Sequence, residues 1–164
     1  MIIVHDCDLT FENVRHAAYY PKQSHVKEAN LLCIPEGESP EGEGWCFPEG
    51  SIELIEYMRT IEPDGISFDI AIDEEAFREI QRHDALIDLG RFLLKEVIFN
   101  MFINVVSSFI YDWVCPAKKD SDRVELRVEF ISQDGGGKSK SITYQGPVSG
   151  LSEIVSIIDG LESE

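Results

Sequence analysis

The chain has 164 residues, of which 14 are basic and 31 acidic, giving a formal net charge of −17. A field of this sign repels nucleic-acid phosphates and anionic lipid head groups, so the composition argues against nucleic-acid binding and favours a basic partner. Hydrophobic residues make up 43% of the chain, which is enough to form one folded core. We therefore expect a single acidic domain that spans residues 1–164.

The N-terminal portion, residues 1–82, is predicted to contain several short elements. The apolar runs MIIV, NLLCI and ISFDIAI predict strands, because each is short and bounded by polar residues. SIELIEYMRTI predicts a helix with Ser51 as its N-cap, and DEEAFREIQRHD predicts a second helix that begins with an acidic turn. Residues 35–51 carry the triplet PEG three times and predict a long acidic loop.

The segment from Asp84 to Val114 contains the most apolar part of the chain and predicts one long helix. Its polar residues recur at steps of three to five, which follows the helical period and leaves most of the cylinder apolar. A lone bilayer span would place two Asn and two Ser near mid-membrane, which costs free energy. We therefore expect a buried central helix that mediates self-association, with a membrane anchor at 97–114 as the alternative.

The C-terminal portion, residues 83–164, continues with a hairpin and a closing helix. RVELRVEFI alternates between apolar and charged residues, which predicts a half-buried strand with its charges toward water. The turn DGGGK and the strand SITY complete an antiparallel hairpin, and GPVSGLSEIVSIIDGL predicts an amphipathic helix. The predicted fold is α+β: a small sheet with a long buried central helix, the hairpin and the terminal helix.

The order of elements in this C-terminal half resembles the small accessory domains of bacterial conflict systems, of the effector-associated and immunity types. The resemblance is carried by the apolar helix ending in Trp113, the strand RVELRVEF, the glycine turn, SITYQG and the final helix. It implies a non-catalytic protein that acts by binding another protein. The acidity of the chain fits a basic protein as that partner.

The acidic loop supplies the predicted partner-binding residues. Trp45 and Phe47 stand between PEG triplets, and an aromatic anchor surrounded by negative charge is a suitable contact for a basic protein. The neighbouring glutamates selected with them are Glu41, Glu43 and Glu49. The alternative is that both aromatic side chains fold back onto the core of the domain itself.

A second function class comes from the sequence MIIVHDCDLT at the N-terminus. Asp6, Asp8 and Thr10 resemble the DxDx[TV] motif of haloacid-dehalogenase-type phosphohydrolases. The resemblance implies Asp6 as nucleophile, Asp8 as general acid and base, and Mg²⁺ between carboxylate and phosphate. The alternation of strands and helices expected of such a fold is missing elsewhere. A Mg²⁺-dependent phosphohydrolase is thus the alternative to a binding protein without a cofactor.

The same stretch contains a candidate metal site. His5, Cys7 and Asp8 offer nitrogen, sulfur and oxygen ligands, and a strand would place His5 and Cys7 on one side. Their spacing fits no established zinc pattern, so we expect a surface cluster without metal. The chain has four scattered cysteines, which predicts reduced thiols and a cytoplasmic location.

Overall fold

A computed structural model of the protein describes residues 1–17, 29–39, 42, 44–72, 77–80, 86–114, 125–134, 137–147, 150, 153, 154 and 156. Its strands are β1 (Ile2–Cys7), β2 (Leu31–Ile34), β3 (Gly37–Glu38), β4 (Trp45–Pro48), β5 (Phe68–Ile70), β6 (Phe77–Ile80), β7 (Leu86–Lys95), β8 (Glu125–Gln133) and β9 (Ser139–Pro147). Its helices are α1 (Phe11–Arg15), α2 (Glu49–Ile61) and α3 (Phe99–Phe109). The predicted α+β class is confirmed.

The main sheet has six strands in the order β1-β9-β8-β7-β2-β5, and β3, β4 and β6 form a second sheet. The predicted hairpin is confirmed, because β8 and β9 pair antiparallel along their whole length. β1 continues this sheet antiparallel to β9, while β7 runs parallel to β8 and antiparallel to β2. Strands from the two portions of the chain therefore lie side by side in one sheet.

The larger hydrophobic core lies between the main sheet and helices α2 and α3. Four fully buried phenylalanines occupy its centre, with ring centroids 5.1 Å apart for Phe92 and Phe102, 5.8 Å for Phe102 and Phe130, and 5.4 Å for Phe99 and Phe130. Each such burial contributes about 2 kcal/mol of hydrophobic stabilisation. These rings therefore contribute to packing α3 against the strands of the main sheet.

A smaller core lies on the opposite face of the main sheet, under α1. Phe11 and Val14 of α1 cluster there with Leu32, Leu93 and Ile131 from three neighbouring strands. Because successive strand residues point to opposite faces, β2, β7 and β8 contribute alternate residues to the two cores. Leu32, Leu93 and Ile131 are thus buried on the face opposite the larger core.

The prediction of one helix over residues 84–114 is wrong in its first half. Residues 86–95 form the central strand β7, and helical structure begins only with a 3-10 turn at Glu96–Ile98. Helix α3 follows at 99–109 and passes into a π-helical turn at Ile110–Val114. Among the described residues, no helix is long and apolar enough to cross a membrane.

Helix α2 confirms the predicted helix but not its predicted start. Its N-cap is Pro48, without a side-chain hydrogen bond, and the predicted cap Ser51 lies inside the first turn. Ser51 Oγ instead donates to the carbonyl of Leu89 at 2.6 Å. At Gly50 an added Cβ would lie only 2.3 Å from the carbonyl oxygen of Asp88. The first turn of α2 therefore packs directly on the backbone of β7.

Two other element predictions are wrong. Residues 77–80, predicted as part of a helix, form β6, which pairs parallel with β4. Residues 35–51, predicted as a long loop, contain β3, β4 and the first turn of α2. The strand predictions at MIIV, NLLCI and ISFDIAI are confirmed as β1, β2 and β5. The predicted terminal helix lies largely outside the described residues.

Candidate functional site

An open groove of about 680 Å³ lies at the end of the main sheet where β1 stops and β8 turns into β9. It brings together two stretches that are far apart in the sequence, the DCD of the N-terminus and the turn DGGGKSK. The charged residues that line it are Asp6, Asp8, Glu96, Asp134, Lys138 and Lys140. With four carboxylates and two ammonium groups, the groove carries an excess of negative charge.

Strand pairing fixes the two sides of this groove. Asp6 of β1 lies opposite Lys140 of β9 in the antiparallel register. Further along the same face, Val4 lies opposite Ile142 and both pack into the larger core. Because alternate residues share a face, Asp6 continues the line of Val4 beyond the edge of that core. The groove is therefore the polar end of a face that is otherwise buried.

The turn between β8 and β9 forms the other wall. The amide of Lys138 donates to Asp134 Oδ1 at 3.1 Å, and the amide of Asp134 donates to the carbonyl of Lys138 at 3.0 Å. These bonds close the turn locally, as an aspartate at such a position commonly does. They hold the backbone that carries both turn residues at the groove.

Of the three residues in the predicted catalytic motif, only two line the groove. Thr10 is the N-cap of α1: its Oγ1 accepts from the amide of Asn13 at 3.2 Å, and Asn13 Oδ1 accepts from the amide of Thr10 at 2.6 Å. This reciprocal capping box satisfies the first turn of the helix. Thr10 thus has a structural role, while Asp6 and Asp8 remain available at the groove.

The candidate metal ligands do not converge. His5 and Cys7 share a face of β1, as predicted, but the Sγ of Cys7 accepts a hydrogen bond from the amide of Leu9 at 3.4 Å. Within the described parts of the chain, no three His, Cys, Asp or Glu side chains are placed to hold a metal ion together. Among these residues, the groove carboxylates are thus not grouped as a set of three metal ligands.

The predicted partner-binding aromatics lie in strand β4. Phe47 is fully buried and stacks on Phe77 with ring centroids 4.9 Å apart, and Trp45 packs against the larger core. Phe47 is therefore not an exposed anchor, and both rings fold onto the domain itself, as in the stated alternative. Glu49 is exposed at the first position of α2. Glu41 and Glu43 lie outside the described residues.

A buried charge cluster joins the acidic segment before β3 to the main sheet. Arg127 Nη1 lies 2.5 Å from Glu36 Oε1 and 2.7 Å from Asp88 Oδ2. Loss of hydration opposes the charge of Arg127, but the hydrogen bonds to Glu36 and Asp88 raise its pKa above the ordinary value. The Asp88 side chain is only 3% exposed, and its Oδ1 also accepts a hydrogen bond from the amide of Gly90. The prediction that β8 turns its charges toward water is wrong for Arg127 and for Glu129, whose side chains are 30% and 17% exposed.

A second polar cluster lies on the same sheet face. Arg91 Nε donates to Glu129 Oε2 at 3.0 Å, and the buried hydroxyl of Ser141 donates to Glu129 Oε1 at 2.7 Å. Three strands, β7, β8 and β9, each contribute one of these side chains. Because Arg91, Glu129 and Ser141 are bonded to one another, the cluster supports the register of the three strands.

Comparison with protein-family models, curated proteins and solved structures found no match.

The cysteines differ in accessibility, which leads to a testable prediction. Burial raises the pKa of the Cys33 thiol to about 12, whereas Cys7 is partly exposed. At pH 8 the thiolate fraction of Cys33 is then about one in ten thousand. We expect iodoacetamide to alkylate Cys7 at least about tenfold faster than Cys33 in the native protein, and at a similar rate in urea. Timed alkylation followed by peptide mass spectrometry measures both rates, and equal native rates would contradict the buried placement.

Proposed function

We propose that this chain is a non-catalytic binding domain that holds a basic protein partner in the cytoplasm. This is the role implied by the resemblance to immunity and effector-associated domains of bacterial conflict systems. The observation that supports it most is the groove, where Asp6, Asp8, Glu96 and Asp134 outnumber the two lysines. A cationic side chain of a partner would find several carboxylates there and would reduce an existing excess of charge.

The surface outside the groove adds to the same field. Glu49, Glu53 and Glu56 are exposed along α2, at steps of four and three residues, so they lie on one side of the helix. Together with the net charge of −17, these three glutamates attract a basic protein over distances of about a Debye length. Such steering raises the association rate, and the groove carboxylates then contribute to the short-range contact.

The proposal predicts opposite effects for acidic and basic groove residues. The double variant Asp6→Asn/Asp8→Asn is expected to weaken binding of the basic partner about tenfold, since each exposed charge contributes less than about 1 kcal/mol. The matched control, Lys138→Gln/Lys140→Gln, removes two charges of the other sign from the same groove and is expected to tighten binding. The partner is first captured with the tagged protein from host extract, and its affinity is then measured by calorimetry at two salt concentrations.

The two double variants make the test specific to the groove. Weakening by the first and tightening by the second supports a cation-binding groove. Equal affinities for wild type and both variants would contradict it, because the partner would then bind elsewhere. A captured partner with a net negative charge would contradict the proposed chemistry of the partner itself.

A second candidate function is the Mg²⁺-dependent phosphohydrolase. One observation favours it: the groove places Lys138 and Lys140 beside Asp6 and Asp8, and lysine is a common phosphate ligand. Against it, β1 is an edge strand antiparallel to β9 and not one strand of a parallel sheet. Phosphate release from p-nitrophenyl phosphate with Mg²⁺, lost in Asp6→Asn, would support the enzyme. Identical slow release by wild type and variant would reject it.

Self-association is proposed through the outer side of α3. Val97 is 82% exposed and Tyr111 63%, and the exposed residues between them, Asn100, Met101, Asn104 and Ser108, carry no charge. Two copies with a net charge of −17 each would meet most easily at such an uncharged stripe. Light scattering after size-exclusion chromatography is expected to show a dimer that Val97→Glu dissociates. A monomer at all concentrations would exclude it.

A further inference from the structure

Among the described residues, no strand pairs with the outer edge of β1. In the order of the six described strands β1 is terminal and pairs with β9 alone. The direction of its backbone groups follows from the pair at its start. The amino group of Met1 donates to the carbonyl of Gln145 at 2.5 Å, and the amide of Gln145 donates to the carbonyl of Met1 at 2.9 Å. Met1 and Gln145 therefore form a doubly bonded pair.

Doubly bonded pairs alternate along an antiparallel ladder. Odd-numbered residues of β1 therefore direct their N–H and C=O groups toward β9, and even-numbered residues direct theirs outward. The outward residues are Ile2, Val4 and Asp6. Their N–H and C=O groups recur about every 7 Å, which is the repeat that another strand requires for pairing.

We propose that β1 accepts an extended segment of the basic partner as an additional strand of the main sheet. This proposal rests on the proposed function and specifies how the partner binds. Backbone hydrogen bonds to Val4 and Asp6 would supply affinity, as in other cases of strand addition. A Lys or Arg of the segment would lie beside Asp6 and reach the groove, while an apolar residue would cover the exposed Ile3.

The charges near this edge favour a basic segment over a second copy of the chain. Asp6 and Asp8 are both exposed at the carboxyl end of β1, and Glu96 and Asp134 line the adjoining groove. A second copy would bring the same carboxylates to the edge, with a further net charge of −17. A segment with lysine or arginine meets the opposite sign and satisfies the outward backbone groups at the same time.

The edge is tested with two substitutions at one position. Asp6→Ala and Asp6→Pro both remove the carboxylate, but only proline also removes the outward N–H. Proline is tolerated on an edge strand where the N–H faces solvent, so β1 should still pair with β9. The probe is a short peptide of alternating lysine and valine, with a glutamate and valine peptide as control. Circular dichroism and thermal unfolding first establish that both variants are folded.

The expected result is a graded loss. We expect Asp6→Ala to bind the lysine peptide about fivefold more weakly than wild type, and Asp6→Pro a further tenfold more weakly. Equal binding by the two variants would overturn strand addition and leave the acidic groove intact as the binding site. No binding of the lysine peptide by wild type, together with partner affinity unaffected by Asp6→Asn/Asp8→Asn, would overturn both proposals.

Amide exchange gives a second readout that needs no variant. In the free protein, Ile3 and His5 are expected to be protected by β9, while Val4 and Asp6 exchange rapidly. Added lysine peptide should protect Val4 and Asp6 selectively, as measured residue by residue by NMR. Protection confined to α2 or α3 would overturn the proposal, and so would protection that also appears with rising protein concentration alone, because that is self-association.

Discussion

Gly90→Ala is expected to lower the free energy of unfolding by about 3 kcal/mol. Gly90 has a φ of +87°, a conformation that costs alanine about 1 kcal/mol or more. An added Cβ would also lie 2.2 Å from Ser51 Oγ and 3.2 Å from Pro48 Cγ. Ser51 cannot turn away freely, because its hydroxyl donates to the carbonyl of Leu89. Strain, collision and the loss of a buried hydrogen bond therefore act together.

Gly137→Ala is the matched control for this prediction. Gly137 has a similar φ of +80°, but apart from its chain neighbours no atom of the described residues lies within 4 Å of the Cβ it would gain. Only the cost of placing alanine at a positive φ remains, so we expect the free energy of unfolding to fall by about 1 kcal/mol. Urea unfolding followed by circular dichroism measures both variants. An equal loss of stability in the two variants would contradict the close contact between β7 and the first turn of α2.

The position of Gly90 also explains why β7 resembles a helix in sequence. The pairing of β7 with β8 shifts register between Asp88 and Gly90, which inserts one extra residue into the strand. The bulge places Asp88 and Arg91 on the same sheet face although they are three residues apart. A step of three is the helical step, so the polar residues appeared to follow one helical stripe. The bulge itself has no local signal beyond the glycine.

Elements whose pattern is local were predictable. The alternation in RVELRVEFI and the glycine turn determine β8 and β9, and the spacing of apolar residues in SIELIEYMRTI determines α2. The short β6 was not predictable, because its sequence favours a helix and only its pairing with β4 makes it a strand. Long-range pairing decided the structure wherever the local pattern was ambiguous.

The residues of the candidate site were also only partly predictable, because long-range strand pairing brings them together. Asp6 and Asp8 were identified from a motif, but Asp134, Lys138 and Glu96 were not associated with them. Asp134 and Lys138 meet Asp6 and Asp8 because β1 pairs with β9, while Glu96 follows the end of β7 beside Gln133 of β8. The prediction of Phe47 as an exposed anchor is wrong because of strand pairing as well. Its acidic neighbours indicated a loop, yet β4 is paired on both sides and buries the ring.

Removing Arg127 is expected to have an effect comparable to that of Gly90→Ala. Arg127→Met keeps most of the aliphatic stem but removes the guanidinium that forms ion pairs with Glu36 and the buried Asp88. Breaking a buried ion pair in this way costs about 3–5 kcal/mol, and we expect about 3 kcal/mol because the arginine side chain is 30% exposed. Arg59→Met, at an exposed position near the end of α2, is the control and should cost about 0.5 kcal/mol or less.

Neutralising the acids distinguishes lost charge pairing from lost packing. In the Arg127→Met background, Asp88→Asn/Glu36→Gln removes the two carboxylate charges that face the arginine in the wild type and is expected to recover part of the lost stability. No recovery would mean that the arginine acts through its contacts alone.

The bulge connects this cluster to Gly90. Asp88 Oδ1 accepts from the amide of Gly90 at 3.0 Å, while Asp88 Oδ2 accepts from Arg127 at 2.7 Å. One carboxylate thus fixes both the bulged backbone of β7 and the neighbouring strand β8. Because the two substitutions disturb the same carboxylate, Gly90→Ala/Arg127→Met should lose less stability than the sum of the single variants, by about 1 kcal/mol. Strict additivity in urea unfolding would mean that the bulge and the ion pair are stabilised independently.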